Sequence, residues 1–243
     1  MNVYDPFDFP YNTGPFTSWA PQLLTKTFNL PVHDPLFDFS IYDDIVHTSP
    51  FNIEGSVIIV GGGPSSLSLT NADYESYDFT WTMNYGFRLV PDVDLLAVGG
   101  GIDIEGAEFN KWLNNNKRVV LAFEIHPRFF GRNIRGKFPD AIFFHNSVYG
   151  KIGVGVRLVN LAANLGAHTI AFIGFDGPQS ILEGRHAFQM GKTELPSGVT
   201  PSNADDVHSK QYSFFWNFIR QRYPDTKFVS LDTTNPYHKC LNQ

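Results

Sequence analysis

A single cysteine, Cys240, stands among 243 residues, so no intramolecular disulfide can close and no cysteine cluster can hold a metal. A reducing, cytoplasmic setting is the expectation. No apolar run reaches the length of a membrane span, and the opening MNVYDPFDFPYN has neither a basic start nor an apolar stretch. Neither a signal peptide nor a membrane anchor is therefore expected. Basic charge is also scarce: 18 Lys and Arg face 24 Asp and Glu, a net charge of −6. No basic surface for a nucleic-acid backbone is on offer, which disfavours nucleic acid as a general ligand. The eight histidines are scattered, without H-x-H or H-E-x-x-H spacing, so a metal centre is not expected. A G-x-S-x-G elbow is missing too, which argues against an α/β-hydrolase.

What is present divides in two. Residues 1–54 carry seven acids and one base, with eleven aromatics and seven prolines, and show no sustained helical or strand period. Disordered tails are poor in aromatics, so this stretch reads as an extended arm. It would lie on its own domain or on a second copy of the chain, giving a homo-oligomer. From Gly55 to Gln243 the sequence reads as one domain. Hydrophobic residues make up 42% of the chain, enough to bury a core. Strand-like runs (SVIIVGG, DFTWTMN, DLLAVGG, RVVLAFEI, AIFFHN, TIAFIGFD, KFVSLD) alternate with helix candidates at 104–116, 129–137, 152–165 and 206–223. The strand runs are continuously apolar rather than alternating, which predicts an α/β fold: a Rossmann-like, mostly parallel sheet with helices on both faces. The segment 177–205 is polar and rich in glycine and proline. A stretch of that length inside a compact domain is usually a lid or an insertion.

In such sheets ligands sit beyond the C-terminal strand ends. The turn Gly61-Gly62-Gly63-Pro64-Ser65-Ser66 falls at one of them, where glycines let a backbone approach an anion and the serines can cap a helix or offer hydroxyls. Its spacing is neither G-x-G-x-x-G nor that of a P-loop. Asn84 follows the second strand, where an amide can read a base or a sugar or satisfy a turn. Lys151 precedes a helix opened by small residues that include Gly155, and could add charge to an anion site. Asp176 ends the strand TIAFIGFD and could hold a ribose hydroxyl, a metal or the following turn. His208 follows Asp205 and Asp206 at the start of an aromatic helix, a plausible place for a general base; His186 lies nearby in the lid. The pair Asp92 and Asp94 has D-x-D spacing but precedes a strand, at the wrong edge for a ligand. Asp103 and Glu105 are better placed, although acids are ordinary in a first helical turn.

The ordered series GGGPSSL, MNYGF, KIGVGVRLVNLAANLGAHTIAFIGFD, HAF and HSK, over roughly residues 56–240, resembles the bacterial sialyltransferases that use CMP-sialic acid. That resemblance implies a metal-independent, inverting glycosyltransferase that moves a sugar from a nucleotide-activated, CMP-linked donor to the hydroxyl of a small molecule or glycan. Donor binding would fall to Gly61, Gly62, Gly63, Pro64, Ser65, Asn84, Gly155 and Asp176. His208 would be the base, with His186 and Lys151 at the leaving phosphate and no cofactor. Three departures matter: Gly62 stands where that family has asparagine, Val154 where it has serine, and AVGGG where it has a third asparagine. A second resemblance, carried by GFDGPQSILEGRHAF, is to the archaeal-type 6-hydroxymethyl-dihydropterin diphosphokinases. It implies an ATP- and Mg-dependent pyrophosphoryl transfer with Asp176 and Asp103 on the metal. A non-catalytic relative kept as a binding or assembly module is the third reading.

Overall fold

In the computed structural model the described residues are 40–41, 45–47, 53–99, 101–124, 134–145, 148–149, 153–178, 187 and 200–241. Ten strands occur among them: β1 (Ser40–Ile41), β2 (Ile45–His47), β3 (Ser56–Val60), β4 (Phe79–Met83), β5 (Leu95–Val98), β6 (Val120–Glu124), β7 (Ile142–His145), β8 (Val148–Tyr149), β9 (Thr169–Ile173) and β10 (Lys227–Ser230). The helices are α1 (Asn71–Glu75), α2 (Ala107–Asn115), α3 (Ile134–Lys137), α4 (Val154–Asn164) and α5 (Ala204–Arg222), with short 3-10 turns at Pro64–Ser68, Asn84–Arg88 and Pro236–Leu241.

One eight-stranded sheet runs in the order β10-β9-β3-β4-β5-β6-β7-β2. Seven of these strands are parallel, and β2 closes one edge by pairing antiparallel with β7. The α/β, Rossmann-like expectation holds, and all seven strand runs named from the sequence are strands. Parallel strands covered on both faces must be apolar at every position. Val57 and Ile59 pack with α4 and α5 on one face, among Val156, Val159, Phe215 and Trp216. The alternate residues Ile58 and Val60 face the other way, towards Leu69, Tyr74 and Val90. Further along that second face, Leu96, Val98 and Phe123 pack against Phe109 of α2.

Within the arm, β1 pairs antiparallel with β8 and β2 with β7. These segments therefore dock on their own chain; residues 1–39 lie outside the described set. Of the segment 177–205, residues 179–186 and 188–199 lie outside the described residues, and its last two belong to α5, which begins at Ala204. Asp205 and Asp206 in its first turn and Arg220 and Arg222 in its last match the helix dipole at both ends.

The chain order fixes where a ligand belongs. From β3 the strands step to β4, β5, β6 and β7 on one side; the chain then returns to β9 and β10 on the other. The order reverses between β3 and β9, and crevices outside such switch points are where open α/β sheets bind ligands.

Candidate functional site

The two strands flanking the switch point are locked together just beyond their ends. Gly61 N–H donates to the Ile173 carbonyl at 2.8 Å and Gly63 N–H to the Gly174 carbonyl at 2.9 Å. Ser65 donates to Asp176 twice, from Oγ to Oδ2 at 2.8 Å and from its backbone N–H to Oδ1 at 3.2 Å. Its Oγ also accepts from Gly174 N–H at 3.0 Å, while Ser66 Oγ donates to the Gly61 carbonyl at 2.7 Å. Close approach is what the glycines permit: a Cβ on Gly61 would come 2.5 Å from the Gly174 carbonyl oxygen, and one on Gly63 would overlap Asp176 Oδ2. Much of the glycine turn is thus explained by contacts within the chain, with Pro64 opening the 3-10 turn. Half-burial of Asp176 raises its pKa, against the lowering by the Ser65 hydrogen bonds. The Gly62 carbonyl accepts from Ala187 N–H at 2.9 Å, which brings Ala187 onto the turn.

One strand along the rim, Asn84 adopts φ 49°, the one positive value among the described non-glycine residues. Residues held there are costly unless the surroundings demand it, and such residues gather at functional sites. Its Oδ1 accepts Gly99 N–H at 2.9 Å, tying the end of β4 to that of β5. A Cβ on Gly99 would be in ordinary contact with Asn84 Oδ1 at 3.4 Å and Glu124 Oε2 at 3.5 Å. Glu124, the last residue of β6, is 5% exposed. It meets Arg157 of α4 through both carboxylate oxygens, Nη2 donating to Oε2 at 3.0 Å and Nε pairing with Oε1. Arg157 Nη1 donates on to the Gly153 carbonyl at 2.9 Å.

On the other side of the switch point stands His208, 2% exposed in the second turn of α5. Its Nδ1 lies 2.8 Å from the Ala204 carbonyl. A carbonyl only accepts, so Nδ1 carries the hydrogen and Nε2 keeps the lone pair. Burial is the main influence on its pKa and pushes it below the ordinary histidine value, outweighing the Ala204 and Asp205 contributions. The Tyr237 ring stacks on Tyr212 at 5.4 Å and lies 6.4 Å from the imidazole. Its hydroxyl donates to Asp205, and a Cβ on Gly177 would strike its edge. Contacts therefore run unbroken from the glycine turn through Asp176 and Gly177 to Tyr237 and His208. The glycine turn and the imidazole share one rim of the sheet.

Of the residues read from the sequence, Gly61, Gly62, Gly63, Pro64, Ser65, Asp176 and His208 come together here, with Asn84 beside them. Gly155 is buried under Phe175, whose Cζ would be 2.7 Å from a Cβ at that position; close packing of α4 on β9 accounts for it. Lys151 and His186 lie outside the described residues. Asp94 accepts Thr80 N–H at 2.7 Å at the start of β5, at the opposite edge of the sheet. Glu105 pairs with Lys137 at 2.9 Å, and Asp103 Oδ1 accepts Glu105 N–H at 3.1 Å. Among the described residues no group of three or more His, Cys, Asp or Glu is arranged to hold a metal ion, and no helix is long and apolar enough to cross a membrane.

Glu124, Arg157, Tyr212 and Tyr237 were not anticipated. The first ends an apolar strand and the last sits in a C-terminal turn with no motif. Only an acid closing a buried strand run, as in RVVLAFE, carried any signal.

No family model and no curated protein matches the chain. Solved structures do. A Tyr-to-Phe variant of the sialyltransferase CST-II in complex with CMP aligns with TM-score 0.53 at 15% identity, over 76% of this chain and 84% of that one. The sialyltransferase CstII from Campylobacter jejuni in complex with the substrate analogue CMP-3FNeuAc aligns with TM-score 0.53 at 16% identity over the same shares. CST-II in complex with a trisaccharide acceptor and CMP gives 0.50 at 18%, again over 76% and 84%. At these identities what is shared is the fold.

Proposed function

We propose that this chain is an inverting glycosyltransferase that moves a sugar from a nucleotide-activated donor to an acceptor hydroxyl, with His208 as general base. The observation that carries the proposal is the state of that imidazole. It is buried, biased towards the neutral form, and held through Nδ1 with Nε2 left to take a proton, on the rim that bears the glycine turn. The fold shared with sialyltransferases solved in complex with CMP supports the nucleotide.

In the proposed step the acceptor hydroxyl gives its proton to His208 Nε2 while its oxygen bonds to the anomeric carbon. The bond from that carbon to the phosphate oxygen breaks, and the nucleotide leaves with the electron pair. Attack opposite the leaving group inverts the centre. Lys151 and His186 are assigned to the departing phosphate, where fixed charge and hydrogen-bond donors stabilise the transition state. No metal is assigned. With Gly62 in the position of an asparagine, the donor is proposed as a nucleotide sugar and not specifically as CMP-sialic acid.

The test is nucleotide release from a panel of CMP-, UDP- and GDP-sugars, alongside thermal shift with CMP, UMP and ATP with and without Mg²⁺. His208→Ala is expected to lower turnover at least roughly 100-fold, the usual worth of a general base, with nucleotide binding kept. Unchanged turnover in that variant, or stabilisation by ATP with Mg²⁺ alone, would overturn the proposal.

A further inference from the structure

We infer that Glu124, held in place by Arg157, reads a vicinal diol of the bound ligand beside Gly99. The inference rests on the nucleotide-sugar reading and deepens it. Glu124 closes β6 at the ligand-side rim, yet it is 95% buried in residue terms, with 5% exposed. A carboxylate has about four acceptor positions, and among the described residues its one side-chain partner is Arg157. Acceptor capacity therefore remains on both oxygens. The guanidinium meets both carboxylate oxygens, one through the Nη2 hydrogen bond and the other through the Nε ion pair, and Arg157 is itself anchored to the Gly153 carbonyl at 2.9 Å. Burying such a pair costs desolvation that a hydrophobic pair would avoid, so stability alone gives little reason to place it here.

The surroundings of Gly99 supply the rest of the argument. Asn84 Oδ1 and Glu124 Oε2 both face the point where a Gly99 side chain would begin, at 3.4 and 3.5 Å. Gly101 also lacks a side chain beside Asn84 Nδ2, which would be 3.5 Å from its Cβ. A ligand that reached this point would meet an amide on one side and a carboxylate on the other. Neighbouring hydroxyls donating one hydrogen bond to each carboxylate oxygen match that geometry, as an acidic residue past a strand end holds ribose hydroxyls in dinucleotide-binding sheets. The diol belongs either to the ribose of the nucleotide or to the transferred sugar.

Isothermal calorimetry on the full chain separates these outcomes. CMP, UMP, GMP and AMP are titrated first, then the 2′- and 3′-deoxy forms of whichever binds, then its sugar-linked form, each against wild type and Glu124→Gln. A ribose diol predicts that the variant binds the ribonucleotide roughly 10- to 100-fold more weakly, the loss expected for hydrogen bonds to a charged group, while the deoxynucleotide is bound equally by both proteins. A sugar diol predicts equal nucleotide binding and the same loss only for the sugar-linked form. Should the variant unfold, wild type alone still decides: it must discriminate against a deoxy ligand, in the ribose or in the sugar. Binding indifferent to every hydroxyl and to the variant overturns the inference and leaves the nucleotide reading standing. If no nucleotide binds wild type, that reading falls and the inference falls with it.

Discussion

Lowering the pH from 7 to 4 is predicted to cost this fold about 3 kcal/mol through one residue, His238. Its side chain is 0% exposed and is enclosed by the rings of Phe172, Phe175, Tyr212 and Trp216. Nδ1 lies 2.8 Å from Ser230 Oγ. That hydroxyl is also 3.0 Å from the Asp232 carbonyl, which can only accept, so the Ser230 oxygen receives the Nδ1 hydrogen. Nε2 has no hydrogen-bond partner among the described residues. A proton added there would place a charge among aromatic rings, and burial accordingly pushes the pKa down to about 4, against the raising influence of Asp232. The unfolded chain titrates near 6.5, so between the two values it binds more protons than the native state. Stability is then complete above pH 6.5 and is lost progressively as the pH falls towards 4. A difference of about 2.5 pKa units at 1.36 kcal/mol each gives about 3 kcal/mol. The assay is urea unfolding at half-unit pH steps for wild type and for His238→Leu, because carboxylates titrate alike in both and cancel in the difference. The two stability curves should converge by about 3 kcal/mol on going from pH 7 to pH 4. Curves that stay parallel within ~0.5 kcal/mol would refute the reasoning.

Three further outcomes follow from the site. Gly63→Ala must displace the Asp176 carboxylate from both Ser65 donors; losing charge-assisted bonds of that kind should cost about 3 kcal/mol, read as a melting temperature roughly 6–12 °C lower for a chain of this size. Arg157→Met leaves the Glu124 carboxylate buried without its counter-ion and should destabilise by about 3–5 kcal/mol, whereas Glu124→Leu with Arg157→Leu should be near neutral, both by chemical unfolding. Because burial lowers the His208 pKa, the acid limb of kcat/KM should fall below pH 6.5 and vanish in His208→Ala.

How much of this was legible in the sequence depended on how local the cause was. Runs such as SVIIV and TIAFI are strands because a strand covered on both faces must be apolar throughout, and a short window holds that signal. The α5 start was legible to within two residues, expected at 206 and found at Ala204. The glycine turn was correctly set at a strand end, but the case for anion contact alone was incomplete: Gly61 and Gly63 are needed by Gly174 and Asp176, more than a hundred residues later. Asp176, read as a ribose, metal or turn residue, is engaged by Ser65. Tyr237 and Arg157 were silent because their meaning comes from Gly177 and Glu124, which only the folded sheet brings to them. Asn84 was legible as a rim amide, while its left-handed backbone was not.

The central claim is that loops far apart in the chain meet over one rim to hold a nucleotide phosphate within reach of a base. A crystal structure of the full chain soaked with CMP tests it most directly. The account predicts phosphate density between the Gly61–Gly63 turn and His208, with the base or ribose lying towards Asn84. A nucleotide found elsewhere on the molecule, with that rim empty, would contradict it.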